Sequence, residues 1–511
     1  MAIDRRAFLR AGATAAVVTT VGVGTELPAH SGQRRARATD WSQLRAAIAG
    51  DVVLPGDTGY TEAIKLQVAT FDAIQPQAVV YCTSAADVAA AVRFDRTNGM
   101  RPVPRSGGHS NAGFSTGTGM VVDLSRMNSV TVGSGSVVVG GGTQAIDAHT
   151  ALSPQGLTVL SGTCATVAAG GFVTGGGMGL LTREYGMASD RLVAAEVVLA
   201  DGSIVRSNTA SRSDLLWALK GGGGGNFGIV TRYWLQPVTI STIVNYSLVF
   251  PWPAAAAVLG GWQQWLANLP AAVSANLVIV MPNASPEAVP VVQVSGTSTG
   301  DLAALNTLLD TFVGLVGSAP VVRNVASLPY GQAMMNVWGC GTFTAAQCHR
   351  TGYNPEGLLP RNVWALSRGR FFDRVLTATA IQQILTAFDA ERRAGQTRIL
   401  SLRGMGGKAN EKSRTETAFV HRTSKFYLGL AYGLTNPAAT EDDKAAVGAR
   451  LNAGFAAMDP YSNHESFQNF MDPLLTDWRQ SYYGENYARL KRVKCKYDPD
   501  RVFSFPQAIG S

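Results

Sequence analysis

The chain has 511 residues, 46% of them hydrophobic and 15% charged, and a formal charge of +8. With no long single-sign run the composition excludes a disordered chain, and the length exceeds what one hydrophobic core serves, which predicts about two to four structural units. Six basic residues (Arg5, Arg6, Arg10, Arg34, Arg35 and Arg37) precede Thr39, and setting them aside with Asp4 and Glu26 leaves +4, a dispersed surplus that argues against a nucleic-acid partner.

Residues 1–38 read as an address. Asp4-Arg5-Arg6-Ala7-Phe8-Leu9-Arg10 stands before an apolar, small-residue run from Ala11 to Gly24, and Ala36-Arg37-Ala38 offers a cleavage site. The run is too short to span a bilayer comfortably. The paired arginines resemble a bacterial twin-arginine export signal, a route for folded proteins that suits one loading a cofactor before export. The mature chain is expected outside the cytoplasm and free of the membrane.

From 39 to 237, short strand-like runs at 78–81, 120–124, 136–139 and 196–199 alternate with helix-like segments such as 84–98, predicting a mixed α/β unit. Residues 238–475 change character. Strand-like 243–250 and 275–281 flank a helix candidate at 253–269, and helix-like 302–316 and 379–393 follow, predicting a second, α+β domain. The polar, aromatic segment 476–511 is unlike a linker and is expected to pack back on the rest.

Five cysteines are present: Cys82, Cys164, Cys340, Cys348 and Cys495. An odd number in an exported chain leaves at least one thiol for other chemistry, and Cys340 and Cys348 are close enough in sequence to close a loop as a disulfide. No zinc-type spacing or H-E-x-x-H occurs, so no metal is expected. Gly223-Gly224-Gly225-Asn226-Phe227-Gly228 is a literal G-x-G-x-x-G, but a helix-like segment precedes it and a strand-like one follows, the reverse of a dinucleotide fingerprint.

Two segments carry chemistry. Arg105-Ser106-Gly107-Gly108-His109-Ser110 follows a strand-like stretch, and glycines in such a turn let backbone N–H groups converge on an anion, with His109 beside it. Gly162-Thr163-Cys164-Ala165-Thr166-Val167-Ala168-Ala169-Gly170-Gly171-Phe172-Val173-Thr174-Gly175-Gly176-Gly177-Met178-Gly179 packs seven glycines around one cysteine, as backbone wrapped closely around a flat or phosphorylated ligand would.

Together these segments resemble the FAD domain of the vanillyl-alcohol-oxidase superfamily (the PCMH type), and within it the berberine-bridge-enzyme-like oxidases. Further matches run through Gly186-Met187-Ala188-Ser189-Asp190, Asp201-Gly202, Gly224 to Val230, Phe419-Val420-His421-Arg422, Tyr482 to Leu490 and Asp498 to Phe503. The resemblance implies an α+β fold: an FAD-binding domain of two α/β subdomains, which residues 476–511 rejoin, and a substrate domain with an antiparallel sheet flanked by helices. It implies FAD held by two bonds, from His109 to the flavin 8α-methyl and from Cys164 to ring C6. It implies cofactor contacts from Arg105, Ser106, Gly107, Gly108, Ser110, Gly162, Thr163, Val167, Gly170, Gly171, Gly175, Gly176, Gly177, Gly179, Asn226, Gly228, Ile229, Val230 and Asn486.

In such enzymes a substrate C–H delivers hydride to flavin N5 while a base takes the neighbouring proton, and dioxygen reoxidises the flavin to give hydrogen peroxide. Three polar positions of relatives map to Asn111, Met178 and, after the F-P-H-R segment, near Leu430, none of which is a base. That leaves Tyr482, with Tyr483 behind it, helped by a cation such as Arg479 or Lys491 because a phenol is a poor base at neutral pH. The expected substrate is an alcohol of a sugar or of a glycosylated or polycyclic secondary metabolite. Two alternatives stand beside this one: a dehydrogenase passing electrons to a quinone or protein, against which Val167 speaks because relatives with valine there tend to react with oxygen, and a secreted binding protein without turnover.

Overall fold

A computed structural model describes residues 39–511; the export leader expected at residues 1–38 lies outside them. Strands β1 (Asp51–Val53), β2 (Ala78–Tyr81), β3 (Pro102–Arg105) and β4 (Met120–Asp123) form a four-stranded sheet in the order β1-β2-β4-β3, parallel across β2, β4 and β3. Its helix, Ala85–Thr97, starts where Ser84 Oγ accepts the Asp87 N–H at 3.1 Å, and Val88, Ala91, Val92 and Asp95 form the buried stripe.

Strands β5 (Val130–Val132) and β6 (Val137–Gly140), the short β7 (Leu157–Thr158), then β8 (Leu192–Val198), β9 (Ile204–Asn208), β10 (Ile229–Leu235) and β11 (Val238–Thr239) complete this part. Five of them make an antiparallel sheet in the order β5-β6-β10-β8-β9, and β7 pairs with β11. Helix Ser213–Leu219 runs into the glycine run at 221–225 and β10 leaves it, so the G-x-G-x-x-G lies in a helix-to-strand turn, as the sequence indicated.

The remaining strands, β12 (Thr242–Phe250), β13 (Asn276–Met281), β14 (Val291–Ser298), β15 (Val322–Pro329), β16 (Trp364–Phe372), β17 (Gln396–Gly404) and β18 (Phe426–Leu434), form one antiparallel sheet in the order β15-β12-β14-β13-β17-β18-β16. Its strands alternate. On β12, Val244, Tyr246, Leu248 and Phe250 enter the largest core, which they share with helices Ala255–Ala267, Leu302–Val316, Ala378–Asp389 and Glu441–Met458. Asn245 and Ser247 point to the opposite face, as a period of two requires. Leu302–Val316 shows how local signals fix such a helix: Asp301 caps the Ala303 and Ala304 N–H groups, Leu305, Leu309, Phe312 and Val316 repeat on one stripe, and Gly317 at φ +73 ends it.

Between helix Tyr330–Val337 and β16 the chain makes an excursion in which Cys340 and Cys348 are disulfide-bonded, Cα atoms 5.8 Å apart. The C-terminal helix Tyr487–Tyr497 packs Leu490, Val493 and Tyr497 into the core built on β6, β8 and β10, and buried Lys494 donates to Asn226 O and Phe503 O at 2.5 and 2.6 Å. Residues 41–511 thereby make one compact unit.

Candidate functional site

The turn after β3 is an anion cradle. The backbone N–H groups of Ser106 through Asn111 find no acceptor among the described residues, and Gly108 sits at φ +68, where the left-handed conformation lets neighbouring N–H groups converge. A row of unpaired donors of this kind fits a phosphate and would otherwise be left to water.

The turn is pressed against the cysteine loop. A Cβ at Gly107 would stand 3.0 Å from the Ala168 Cβ and Thr166 O, and His109 Nε2 lies 2.6 Å from Thr166 Oγ1, so His109 and Cys164 belong to adjoining walls. With Nε2 engaged, Nδ1 is the free ring nitrogen. Burial, with the Arg350 guanidinium second, pushes the His109 pKa down to about 4, so the imidazole is neutral and nucleophilic at neutral pH. Cys164 is exposed, yet surrounding protein raises its thiol pKa while Arg403 opposes the rise. Both hold for a sulfur in an open crevice, reached by solvent but walled by protein.

From this crevice a cavity of about 560 Å³ runs along the non-helical face of the large sheet, beginning at Thr163 and Arg403. Arg403 Nη1 donates to Thr163 Oγ1 at 3.3 Å, and its buried Nε has no partner. The wall alternates amides and hydroxyls, among them Asn245, Ser247, Asn276, Gln293 and Asn324, and Arg403 is its one charged group. Asn245 spends its Nδ2 on Ala333 O at 3.0 Å, which leaves a buried Oδ1 unpaired.

Across β17 and β18, Arg403 is paired with Tyr427 and therefore shares its face. Tyr427 is 4% exposed and its hydroxyl makes no hydrogen bond among the described residues. Burial raises its pKa and Arg403 counters. A Cβ at Gly369 would collide with that hydroxyl, and Phe371, Phe467 and Phe470 ring it at 5.2–6.3 Å between centroids.

Several expected site residues stand elsewhere. Tyr482 and Tyr483 are fully buried where the C-terminal segment meets the first core, and neither lines the cavity. The Tyr482 hydroxyl accepts the Asp472 N–H at 2.8 Å and faces Gln507 Oε1 at 3.3 Å, that of Tyr483 donates to Gly222 O at 3.3 Å, and burial raises both pKa values. Their surroundings correct the expectation of a base there: both hydroxyls are committed and far from titrating. Asn226 donates Nδ2–H to Gly222 O and accepts the Ile509 N–H at Oδ1, and Asn486 donates Nδ2–H to Arg414 O and Thr417 O, so both brace backbone. Arg105 is 4% exposed and paired with Asp123, leaving Nη1 buried and unpartnered. Ser106 Oγ bonds Gly141 O, and Ser110 Oγ accepts the Phe114 N–H. Ile229 and Val230 open β10 with side chains in the core, and Gly228, at φ +150, packs against Val197.

Within the glycine run, Gly162 abuts the Phe172 ring, Gly179 abuts Ser161 O, Gly170 abuts Ser106, and Gly175, Gly176 and Gly177 abut Asn469, Phe419 and Ala188. Gly171 alone faces open space. Asn469, unmarked in the sequence, holds the run from outside: its Oδ1 accepts the Gly177 N–H at 3.0 Å and its Nδ2 donates to Gly171 O at 2.8 Å. Leu430 lies in the helix-side core, so the alternation of β18 puts Tyr427, Gly429 and Ala431 on the cavity side instead. Val167 borders a small, mostly apolar cavity of about 30 Å³ with Val159, Phe172 and Leu235.

Residues 76–208 match the family described as FAD binding domain, and residues 466–510 that described as berberine and berberine like. The chain is 29% identical over 477 residues to the FAD-linked oxidoreductase YgaK of Bacillus subtilis (strain 168), covering 91% of this chain and 98% of that one. It is 28% identical over 448 residues to the xylooligosaccharide oxidase of Thermothelomyces thermophilus, covering 85% and 87%. The structure of the Physcomitrella patens BBE-like 1 protein superposes with a TM-score of 0.82 at 24% identity over 92% of this chain and 99% of that one, so the α+β fold with its FAD-binding domain is shared.

Proposed function

On the premise of an FAD-linked oxidoreductase framework with a berberine-like C-terminal segment, we propose that the chain is an exported oxidase carrying FAD on two bonds, to His109 and Cys164. Its substrate is an alcohol of a neutral, hydroxyl-rich molecule, a sugar or a glycosylated or polycyclic secondary metabolite. FAD, when bound, supplies the two-electron acceptor that dioxygen regenerates with release of hydrogen peroxide.

The cavity wall supports this substrate class. Amide and hydroxyl side chains facing inward from alternate positions can pair with many alcohol groups, and no carboxylate lines the space to attract a cation. A carbohydrate substrate in the name of the xylooligosaccharide oxidase points the same way.

In this proposal each residue has a task. The N–H row from Ser106 to Asn111 binds the phosphates, His109 offers Nδ1 while Thr166 fixes its ring, and Cys164 offers its thiol. Asn245 Oδ1 accepts a hydrogen bond from a substrate hydroxyl. Tyr427 Oη handles the proton of the reacting alcohol, because its hydroxyl makes no hydrogen bond among the described residues and Arg403, paired with it across the strands, offsets part of the rise that burial causes. Val167, beside the small apolar cavity, favours reaction with dioxygen over delivery of electrons to a quinone or protein.

The decisive experiment is anaerobic mixing of the purified protein with neutral oligosaccharides and glycosides while following the flavin absorbance band. Bleaching followed by stoichiometric peroxide on admitting air is expected. Bleaching only with cationic amines would overturn the substrate class, and bleaching without peroxide would turn the enzyme into a dehydrogenase.

A further inference from the structure

The excursion between helix Tyr330–Val337 and β16 reaches the supports of both proposed tethers. At its start Trp338 is 8% exposed and donates Nε1–H to Gly162 O at 3.1 Å, two residues before Cys164. His149 meets the Trp338 ring edge-on at 5.1 Å and places Nε2 3.0 Å from Gly331 O. The Cys340–Cys348 disulfide follows, buried in one apolar cluster with Ala145, Ile146 and Ala165, the residue after Cys164.

In the middle of the excursion His349 Nε2 lies 3.0 Å from Asp147 Oδ1, and the His349 ring stacks on Tyr353 at 4.9 Å. Asp147 belongs to helix Ala145–Leu152, whose first N–H groups, those of Ala145 and Ile146, donate to Val167 O and Ala165 O at 3.0 Å. The cysteine loop therefore hangs on the N-terminus of a helix that the excursion grips.

At its end Arg361 donates Nε–H to Leu66 O at 2.6 Å and pairs with Asp72, while the Asn362 N–H donates to Gln67 O at 2.9 Å. The Gln67 N–H in turn donates to Gly108 O at 3.1 Å, one residue before His109. One stapled segment is thus hydrogen-bonded to the cysteine loop at one end and, through one intervening strand bridge, to the histidine turn at the other.

We propose that this disulfide-stapled segment is a positioning clamp that sets the Cys164 sulfur relative to His109, with Trp338 and the Cys340–Cys348 bond as its determining parts. The clamp rests on the two-bond reading above. The second bond replaces the thiol proton and the ring C6 hydrogen by a carbon–sulfur bond, and the two protons and the electron pair released go to dioxygen, the oxidant the proposed activity already uses, giving hydrogen peroxide. That step needs sulfur and carbon at near-attack distance, whereas the histidyl bond is served by Thr166 and the turn itself. Loosening the clamp therefore affects the cysteinyl bond first.

The test uses the full chain produced with FAD: wild type, Trp338→Phe, which keeps the ring and removes one N–H, and the double variant Cys340→Ser/Cys348→Ser. Flavin peptides are separated after digestion and weighed, absorption spectra record the linkage, and near-ultraviolet circular dichroism records the fold. In both variants the His109 bond is expected intact, while the cysteinyl bond forms at least about tenfold more slowly, within the roughly hundredfold that a misplacement of about 1 Å can cost. His349→Gln, which keeps a donor toward Asp147, is expected to form both bonds, and it keeps the test open if the double variant does not fold. A folded Trp338→Phe protein that completes both bonds at the wild-type rate would overturn the clamp while leaving the two-bond reading intact. A wild type lacking either bond would overturn that reading, and the clamp with it.

Discussion

Arg422 holds both oxygens of Asp190, Nη1 to Oδ2 at 2.9 Å and Nη2 to Oδ1 at 2.6 Å, with both side chains nearly sealed from solvent. Asp190 also accepts the Met187 N–H at 3.0 Å, and Arg422 reaches Ala409 O and Thr417 Oγ1 at 2.9 and 2.8 Å. The pair joins the segment after the glycine run to the segment before β18. Arg422→Leu leaves a buried carboxylate unpaired, so unfolding titrations should show a loss of about 3–5 kcal/mol. A loss under about 1 kcal/mol, the level of an exposed pair, would mean the site is wetter than it looks.

The tethers are checked by colour. Acid-precipitated wild type should stay yellow, His109→Ala and Cys164→Ala should each keep one bond, and the double variant should release its flavin into the supernatant. Free FAD from precipitated wild type would remove the covalent reading altogether.

Tyr482 and Tyr427 make a contrasting pair. Tyr482→Phe deprives the buried Asp472 N–H of its acceptor, so it should cost about 1–3 kcal/mol of stability and leave anaerobic flavin reduction unchanged. Tyr427→Phe should fold normally and slow that reduction by about a hundredfold or more, the share of a positioned proton acceptor. The reverse outcome would return the base to the C-terminal segment.

Asp95 supplies a pH dependence. It is fully buried, neither oxygen has a partner among the described residues, and burial raises its pKa to about 8. The folded state thus favours the protonated acid while the unfolded chain ionises near its ordinary value of about 4. Its unfavourable effect is absent below pH 4 or so, grows as pH rises, and levels off above about 8. Asp95→Asn should flatten this slope and stabilise the protein at pH 7 by a few kcal/mol, on the order of the shift at about 1.4 kcal/mol per unit. Parallel curves for the two proteins between pH 4 and 8 would show that a buried partner, such as water, already serves the carboxyl.

Export is tested on the pair Arg5-Arg6. Lys at both positions should strand folded, yellow protein inside the cell, and unimpaired secretion would point to a route for unfolded chains.

What the sequence revealed follows the range of its signals. Caps and periodicity are local, so the helices beginning after Ser84 and Asp301 could be read to within a residue or so. The His109 turn and the glycine run were legible for the same reason: each needs its unusual residues in one short stretch. Asn469 was not, because its task, holding Gly171 and Gly177, depends on a chain crossing far from it in sequence. Tyr482 misled because a polar, aromatic motif looks the same whether its hydroxyl meets substrate or, as here, the Asp472 backbone. The position near Leu430 shows how unforgiving a strand is, since a shift of one residue exchanges the cavity for the core.

The large sheet also keeps its two duties apart along the chain. On β12 the side chains at 244, 246, 248 and 250 enter the core, those at 245 and 247 face the cavity, and Tyr246 also borders the cavity. A mutation at the second kind of position changes what is recognised while leaving the helix-side core intact, at the cost only of local bonds such as that from Asn245 to Ala333 O. Relatives can therefore diverge in diet while keeping one skeleton, and a designer seeking new acceptance here should alter every other residue and leave its neighbours alone.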